Sequence, residues 1–236
     1  LYLYNNQLSV LDNPQLFASL TKLQILYLHS NQLSVLDAKL FTTLTALQAL
    51  WLYGNQLRTL DAKLFTTLTT LQTLWVHDNQ LSVLDTNLFV SLTLLQTLHL
   101  SGNQLSVLDA KLFASLRALQ VLDLNENQLR VLDATLFAPL TALQALWLNS
   151  NQLSVLANPE LFASLTELLR LKLYDNELSA LDSKLFASLS ELHELDLANN
   201  QLSVLDAELF ASLTTLQKLY LYNNQLSVLD NPQLFA

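Results

Sequence analysis

The chain has 236 residues, of which 51% are hydrophobic, and a formal net charge of −9. A chain of this kind can bury a large core, and its negative charge repels a phosphate backbone, so we expect no nucleic-acid partner. The absence of cysteine excludes disulfides and thiolate metal sites within this sequence. No apolar run approaches the length of a membrane span, so we expect none in this part of the protein.

One asparagine recurs along the whole sequence. The interval is 24 residues, lengthened to 25 where an Asn-Pro pair is inserted at Asn13 and at Asn158. Such a fixed period predicts a solenoid built from about ten units. Because no linker or change of composition interrupts it, residues 1–236 are expected to form one domain or part of one.

A single unit shows what each segment does. In residues 49–53, leucines alternate with Ala, Trp and Tyr, which predicts a short half-buried strand. Residues 56–60 then turn the chain. In residues 61–68, the spacing of Leu64, Phe65 and Leu68 favours an irregular or short helical return on the opposite side.

This pattern resembles the leucine-rich-repeat family, in its "typical" 24-residue subclass, over the full chain. The resemblance implies a right-handed coil with a parallel β-sheet on the concave side and an irregular or short-helical convex side. It also implies recognition or adhesion at the cell surface or outside the cell. The chain departs from many relatives in having Leu-Asp instead of Leu-Pro after the second turn, and in lacking cysteine-rich caps.

Two rows of polar residues are predicted to have structural roles. The repeated asparagines should bond backbone groups that the turn leaves unpaired. This ladder comprises Asn31, Asn55, Asn79, Asn103, Asn127, Asn151, Asn176 and Asn200. An aspartate row runs from Asp12 to Asp230, and each member should cap the segment that follows it. Calcium binding is the alternative for the aspartates, but it requires six to eight oxygens from varied ligands.

The aromatic residues are sorted by type. All ten Phe lie at the predicted core position, whereas all three Trp and all seven Tyr lie at two strand positions that point outward on the concave face. Trp and Tyr are common anchors of interfaces, and aromatic residues beside Asp, Asn and His also suit stacking on sugar rings. The alternative is that aromatic residues simply favour strands.

We therefore predict a ligand-binding surface for protein or carbohydrate on the concave face. Its residues are Tyr27, His29, Trp51, Tyr53, Trp75, His77, His99 and Trp147. His77 and His99, with Asp78 and Asp123 nearby, could in principle hold zinc, but residues placed diagonally in a sheet lie too far apart for this to be favoured. We predict no metal site and no cofactor.

No sequence feature indicates an enzyme. The chain has only two glycines, no G-x-S-x-G or H-E-x-x-H motif, and Ser or Thr residues that recur in every unit instead of singly. We therefore predict a non-enzymatic scaffold.

The first and last segments are identical. Residues 219–236 repeat residues 1–18 letter for letter, including the Asn-Pro insertion. This match and the lack of polar caps predict a chain that is part of a longer one, or solenoids that stack end to end. The alternative function is accordingly a structural filament or surface layer.

Overall fold

The computed structural model describes residues 1–229 and 234. Nine short strands form one parallel sheet in which each unit pairs with the next in sequence. Equivalent leucines are in register across it, as Leu26 opposite Leu50 and Leu50 opposite Leu74. The strands of this main sheet are β2 (Ile25–Tyr27), β4 (Ala49–Trp51), β5 (Thr73–Trp75), β6 (Thr97–His99), β7 (Val121–Asp123), β8 (Ala145–Trp147), β10 (Arg170–Lys172), β12 (Glu194–Asp196) and β13 (Lys218–Tyr220).

The backbone ladder extends beyond the strand limits. Tyr2 joins the sheet through a parallel bridge to Tyr27. After β2, the Leu28 N–H donates to the Trp51 carbonyl at 2.8 Å, and the Ser30 N–H donates to the Tyr53 carbonyl at 2.9 Å. The sheet is therefore wide enough to present several side chains per unit on one face.

Two small parallel sheets, which the sequence did not predict, lie beyond the first turn of each unit. One pairs β1 (Val10–Leu11) with β3 (Val35–Leu36), and the other pairs β9 (Val155–Leu156) with β11 (Ala180–Leu181). Both join a unit that carries the Asn-Pro insertion to the unit after it. The inserted units thus have an additional backbone connection to their neighbours.

The return side consists mainly of turns, as the sequence predicts. In the second unit, successive bonds run from the N–H of Leu40 to the carbonyl of Asp37, from Thr42 to Lys39 and from Leu44 to Phe41, at 3.0–3.1 Å. The described residues contain one 3₁₀ helix, Pro159–Phe162, which follows the Asn-Pro insertion. Each of these bonds spans three residues, so the return side is a succession of tight turns.

The core is a continuous column of leucine and phenylalanine. Phe41, Phe65 and Phe89 are fully buried, and Phe162 lies 6.1 Å from Phe137 and 6.4 Å from Phe186 between ring centroids. Because no unit could bury these side chains alone, packing between successive units supplies most of the apolar burial.

The predicted asparagine ladder is present. Asn103 donates through Nδ2 to the carbonyls of Val76, Leu100 and Ser101 at 3.0–3.2 Å. Its Oδ1 accepts from the Leu81 N–H at 3.0 Å, so each asparagine links its own unit to the preceding one. The same pattern holds at Asn31, Asn55, Asn79, Asn127, Asn151, Asn176 and Asn200.

The aspartates cap the return segments with one exception. The Asp61 carboxylate accepts from the Lys63 N–H at 2.8 Å, and Asp37, Asp85, Asp109, Asp133, Asp182 and Asp206 do the same two residues ahead. For Asp12 the prediction was wrong, because the inserted residue displaces it and Asn13 accepts from the Gln15 N–H instead. Asn158 has the same role in the unit where Ala157 replaces the aspartate. Asp230 lies outside the described residues.

Candidate functional site

The outward face of the main sheet, called the open face below, has three columns of side chains. The sequence predicted two, which begin at Tyr2 and at Tyr4. The structure adds a third at the first residue of each strand, where alternation also points the side chain away from the core. This column contains Ile25, Ala49, Thr73, Thr97, Val121, Ala145, Arg170, Glu194 and Lys218.

The first aromatic column is a stack of rings along the solenoid. The ring centroids of Tyr27 and Trp51 lie 3.9 Å apart, and those of Trp51 and Trp75 lie 4.2 Å apart with planes inclined by only 6°. Tyr2 packs edge-on against Tyr27 at 5.0 Å, and His99 is tilted at 5.3 Å from Trp75. Trp51 therefore has a neighbouring ring on both faces.

The second aromatic column stacks in the same way. His29 lies between Tyr4 at 4.6 Å and Tyr53 at 4.4 Å, and Tyr53 lies 4.3 Å from His77. These three pairs are nearly parallel, with planes inclined by 7–12°. His29 is 6% exposed, so the stack covers it almost completely.

A polar cluster follows the stacks. Asp123, only 5% exposed, accepts hydrogen bonds from His99 Nδ1 at 3.1 Å, from Ser101 Oγ at 2.9 Å and from the Asn125 N–H at 3.0 Å. These bonds compensate for the desolvation of the carboxylate. His99 also contacts Trp147 edge-on at 5.8 Å, across the intervening unit. The cluster thus connects Trp147 to the stacked rings that end at Trp75 and His77.

Unpaired polar atoms are concentrated on the open face. In the described residues, six buried side-chain nitrogen or oxygen atoms have no hydrogen-bond partner, and all six belong to the two columns that begin at Tyr2 and Tyr4. They are Nδ1 of His29 and His77, Nε1 of Trp51, Trp75 and Trp147, and Oδ1 of Asn149. Buried polar groups in native proteins are almost always paired, so this concentration marks the face as different from the rest of the solenoid.

Burial and negative charge shift several pKa values on this face. Desolvation lowers the pKa of His29, and it also lowers the pKa of His77, where the Asp78 carboxylate opposes it in part. Desolvation raises the pKa of Tyr53, with Asp78 adding to the effect, and it raises the pKa of Tyr174, with Asp175 adding to it. At neutral pH the two histidines are therefore neutral and the tyrosines keep their protons.

One border of the open face is formed by residues with left-handed backbone. Asp78, Glu126 and Asp175 have φ values of 51–53°, and their side chains are exposed. Asp78, Gly102 and Glu126 occupy equivalent positions in three successive units. A Cβ on Gly102 would clash with the Asp78 carboxylate, which extends over it. Negative side chains thus alternate with small or neutral ones along this border.

Metal binding and membrane insertion have no candidates in the part of the chain described. The ring centroids of His77 and His99 lie 5.8 Å apart, and each pairs with its own aspartate, at 3.9 Å for Asp78 and 3.1 Å for Asp123. No group of three or more His, Asp or Glu residues within residues 1–229 could hold an ion. No helix there is long and apolar enough to cross a bilayer.

The structure brings all eight predicted site residues into one chain of ring contacts. Tyr27, His29, Trp51, Tyr53, Trp75 and His77 form the stacked columns, and His99 bridges them to Trp147. Strict strand alternation places Asp123 and Asn149 on this face. The sequence did not predict that Asp123 accepts hydrogen bonds from His99 and Ser101, or that the Oδ1 of Asn149 is buried and unpaired.

The fold is a parallel solenoid whose successive units are joined by an asparagine ladder. This architecture places the protein in the class of tandem-repeat scaffolds. The leucine-rich-repeat family model matches residues 1–57, 52–105, 94–153, 156–202 and 190–235. The chain therefore belongs to the leucine-rich-repeat family, as its sequence pattern predicted.

Solved structures of high similarity include receptors and a bacterial protein. A leucine-rich-repeat protein of Leptospira interrogans is 31% identical with a TM-score of 0.86, and the match covers 96% of this chain and 55% of that one. TLR13, solved in complex with ssRNA13, is 29% identical with a TM-score of 0.85, covering 96% and 36%. Toll of Drosophila, solved in complex with Spatzle, is 28% identical with a TM-score of 0.84, covering 91% and 30%.

The chain thus spans between about a third and about half of these solved relatives. No curated protein matches its sequence.

Proposed function

We propose that the chain is a non-enzymatic recognition module that binds a protein or glycan ligand on its open face, at the cell surface or outside the cell. The observation that supports this most strongly is the concentration of every Trp, every Tyr and all six unpaired buried polar atoms of the described residues on that one face. Trp and Tyr combine a large apolar area with a polar group, which suits them to interfaces.

The similar receptors support recognition as the general role. Toll is solved with a protein, Spatzle, and TLR13 with an RNA. The net charge of −9 disfavours an RNA ligand for this chain, because binding to phosphates relies on Lys and Arg. The extracellular location is part of the proposal and rests on the resemblance to receptor domains of the family.

The test compares two double variants on arrays of secreted proteins and of glycans. Trp51→Ala/Trp75→Ala removes two stacked rings, whereas Val83→Ala/Val107→Ala removes two exposed apolar side chains elsewhere, at 72% and 73% exposure. We expect the wild type and the valine variant to bind the same ligand, and the tryptophan variant to lose it while keeping its far-ultraviolet circular dichroism. Equal binding by all three proteins would contradict the proposal.

A second candidate function is structural, with solenoids that continue or stack end to end. It is supported by the identity of residues 1–18 and 219–236. In the first unit, Leu11 and Phe17 are buried against the second unit, and Phe17 lies 6.4 Å from Phe41. Because residues 219–236 repeat this segment, a further unit with the sequence of the second unit would find the same side chains to pack against. Electron microscopy of the natural material distinguishes fibres from discrete particles.

A further inference from the structure

The faces of the aromatic rings on the open face are already occupied. Trp51 is covered on one side by Tyr27 at 3.9 Å and on the other by Trp75 at 4.2 Å. Tyr53 is likewise covered by His29 at 4.4 Å and by His77 at 4.3 Å. A sugar ring binds by lying flat on an open aromatic face, and these rings offer none. The sequence-based expectation of sugar stacking therefore loses its geometric basis at the centre of the site.

An incoming ligand meets the edges of these rings. The edge of an aromatic ring is electropositive, and its favoured partner is the negative face of another aromatic ring in an edge-to-face arrangement. Tyr2 against Tyr27, at 5.0 Å and 62°, shows this geometry within the chain itself. Phe, Tyr or Trp side chains of a protein are therefore well suited to pack on the columns.

The border of the site adds a charge requirement. Asp78, Glu126 and Asp175 are exposed along it. Within residues 1–229 no Lys or Arg nitrogen lies within 4 Å of these carboxylates, and the basic contacts at that distance are His77 with Asp78 and His99 with Asp123. A row of unneutralised carboxylates favours a partner that is positively charged, and it steers such a partner to the site.

We propose that the partner of the open face is a protein segment that packs aromatic side chains edge-to-face on the columns of Trp51 and Tyr53 and sets Lys or Arg against Asp78, Glu126 and Asp175. This inference rests on the proposed function and narrows it from protein or glycan to a basic, aromatic polypeptide.

The probe is a library of random 15-residue peptides displayed on phage. The library is first depleted on immobilised Trp51→Ala/Trp75→Ala chain and then selected on the wild type, so that retained peptides require the open face. Synthetic versions are measured by fluorescence anisotropy at several salt concentrations, and chitohexaose and cellohexaose are measured by calorimetry in parallel.

The charge requirement is tested with a matched pair of triple variants. Asp78→Asn/Glu126→Gln/Asp175→Asn removes three charges at the border, while Asp61→Asn/Asp85→Asn/Asp109→Asn removes the same number on the return side and keeps each capping oxygen. We expect the border variant to weaken peptide binding by about 10-fold at low salt and to flatten its salt dependence, and the control to change it little.

Enrichment of selected peptides in aromatic residues and in Lys or Arg, together with that difference between the variants, supports the inference. Peptides that need Trp51 and Trp75 but lack basic residues, or that bind the border variant as well as the wild type, overturn it and leave the proposed function standing. Binding of a hexasaccharide that depends on the two tryptophans also overturns the inference and leaves the proposed function standing. If neither peptides nor sugars bind in a way that depends on the open face, both the inference and the proposed function fail.

Discussion

Replacing Asn103 by alanine tests the ladder at the centre of the solenoid. The loss is uneven, because the three carbonyls that Asn103 bonds keep other partners: Val76 from Asn79, Leu100 from Asn127, and Ser101 from the N–H of Asp78. The Leu81 N–H, in contrast, loses its one partner in a fully buried position. An orphaned buried N–H costs about 1–3 kcal/mol, and three weakened bonds add about 1 kcal/mol.

We therefore expect Asn103→Ala to lower the free energy of unfolding by about 2–4 kcal/mol, measured by urea denaturation followed by circular dichroism. Gln104→Ala, at an exposed neighbouring position, is the control and should change it by less than about 0.5 kcal/mol. Asn103→Asp keeps the acceptor but sets a carboxylate against three carbonyls, so relative to the wild type it should regain stability as the pH falls from neutral towards 5. Equal stability of Asn103→Ala and Gln104→Ala would show that the unpaired Leu81 N–H does not carry the expected cost.

The remaining predictions concern His77, the two glycines at positive φ and the cap of the first return segment. Burial lowers the pKa of His77, so the unfolded protein binds more protons at this side chain than the folded protein does. The contribution of His77 to stability is therefore complete above about pH 6.5 and falls on acidification. Thermal melts of His77→Gln should accordingly show a weaker pH dependence than those of the wild type. Gly54→Ala and Gly102→Ala both place a side chain at positive φ, so each should cost about 1–2 kcal/mol in urea titrations; the exposed Asp78 carboxylate can turn away from a methyl group at residue 102, so the two costs should differ by less than about 1 kcal/mol. Asn13→Ala should cost about 1 kcal/mol and Asp12→Ala much less, in the same assay; the reverse order would show that Asp12 is the cap.

The sequence was sufficient to predict the fold and the asparagine ladder. A leucine pattern of fixed period admits one packing, and a polar residue repeated inside that pattern must find partners in the backbone. Asp12 could not be predicted correctly, because one inserted residue moves the cap position to Asn13. A period derived from the shorter units does not show where an extra residue is accommodated.

The sequence predicted which side chains share the open face but not the geometry of their contacts. Strand alternation determines which side chains leave the core, and it placed Trp51 and Tyr53 on the open face correctly. Whether their rings lie flat towards solvent or stand against the next unit depends on rotamers and on strand spacing. The stacks at 3.9–4.6 Å are contacts between residues 24 positions apart, as Trp51 and Trp75, or 25 apart, as Tyr4 and His29. Local patterns do not contain that information.

The asparagine ladder also determines how the length of this protein can change. Each Oδ1 bonds a leucine N–H 22 residues earlier, or 23 residues earlier at Asn31 and Asn176, whose preceding units carry the Asn-Pro insertion. The extra residue is absorbed on the return side, and the ladder bond is unchanged at 3.0–3.1 Å. Adding or deleting one whole unit therefore restores the ladder bonds on both sides of the junction, whereas a single-residue change is tolerated where the chain turns. Such a molecule can evolve by gaining and losing units, each contributing nearly the same increment of stability.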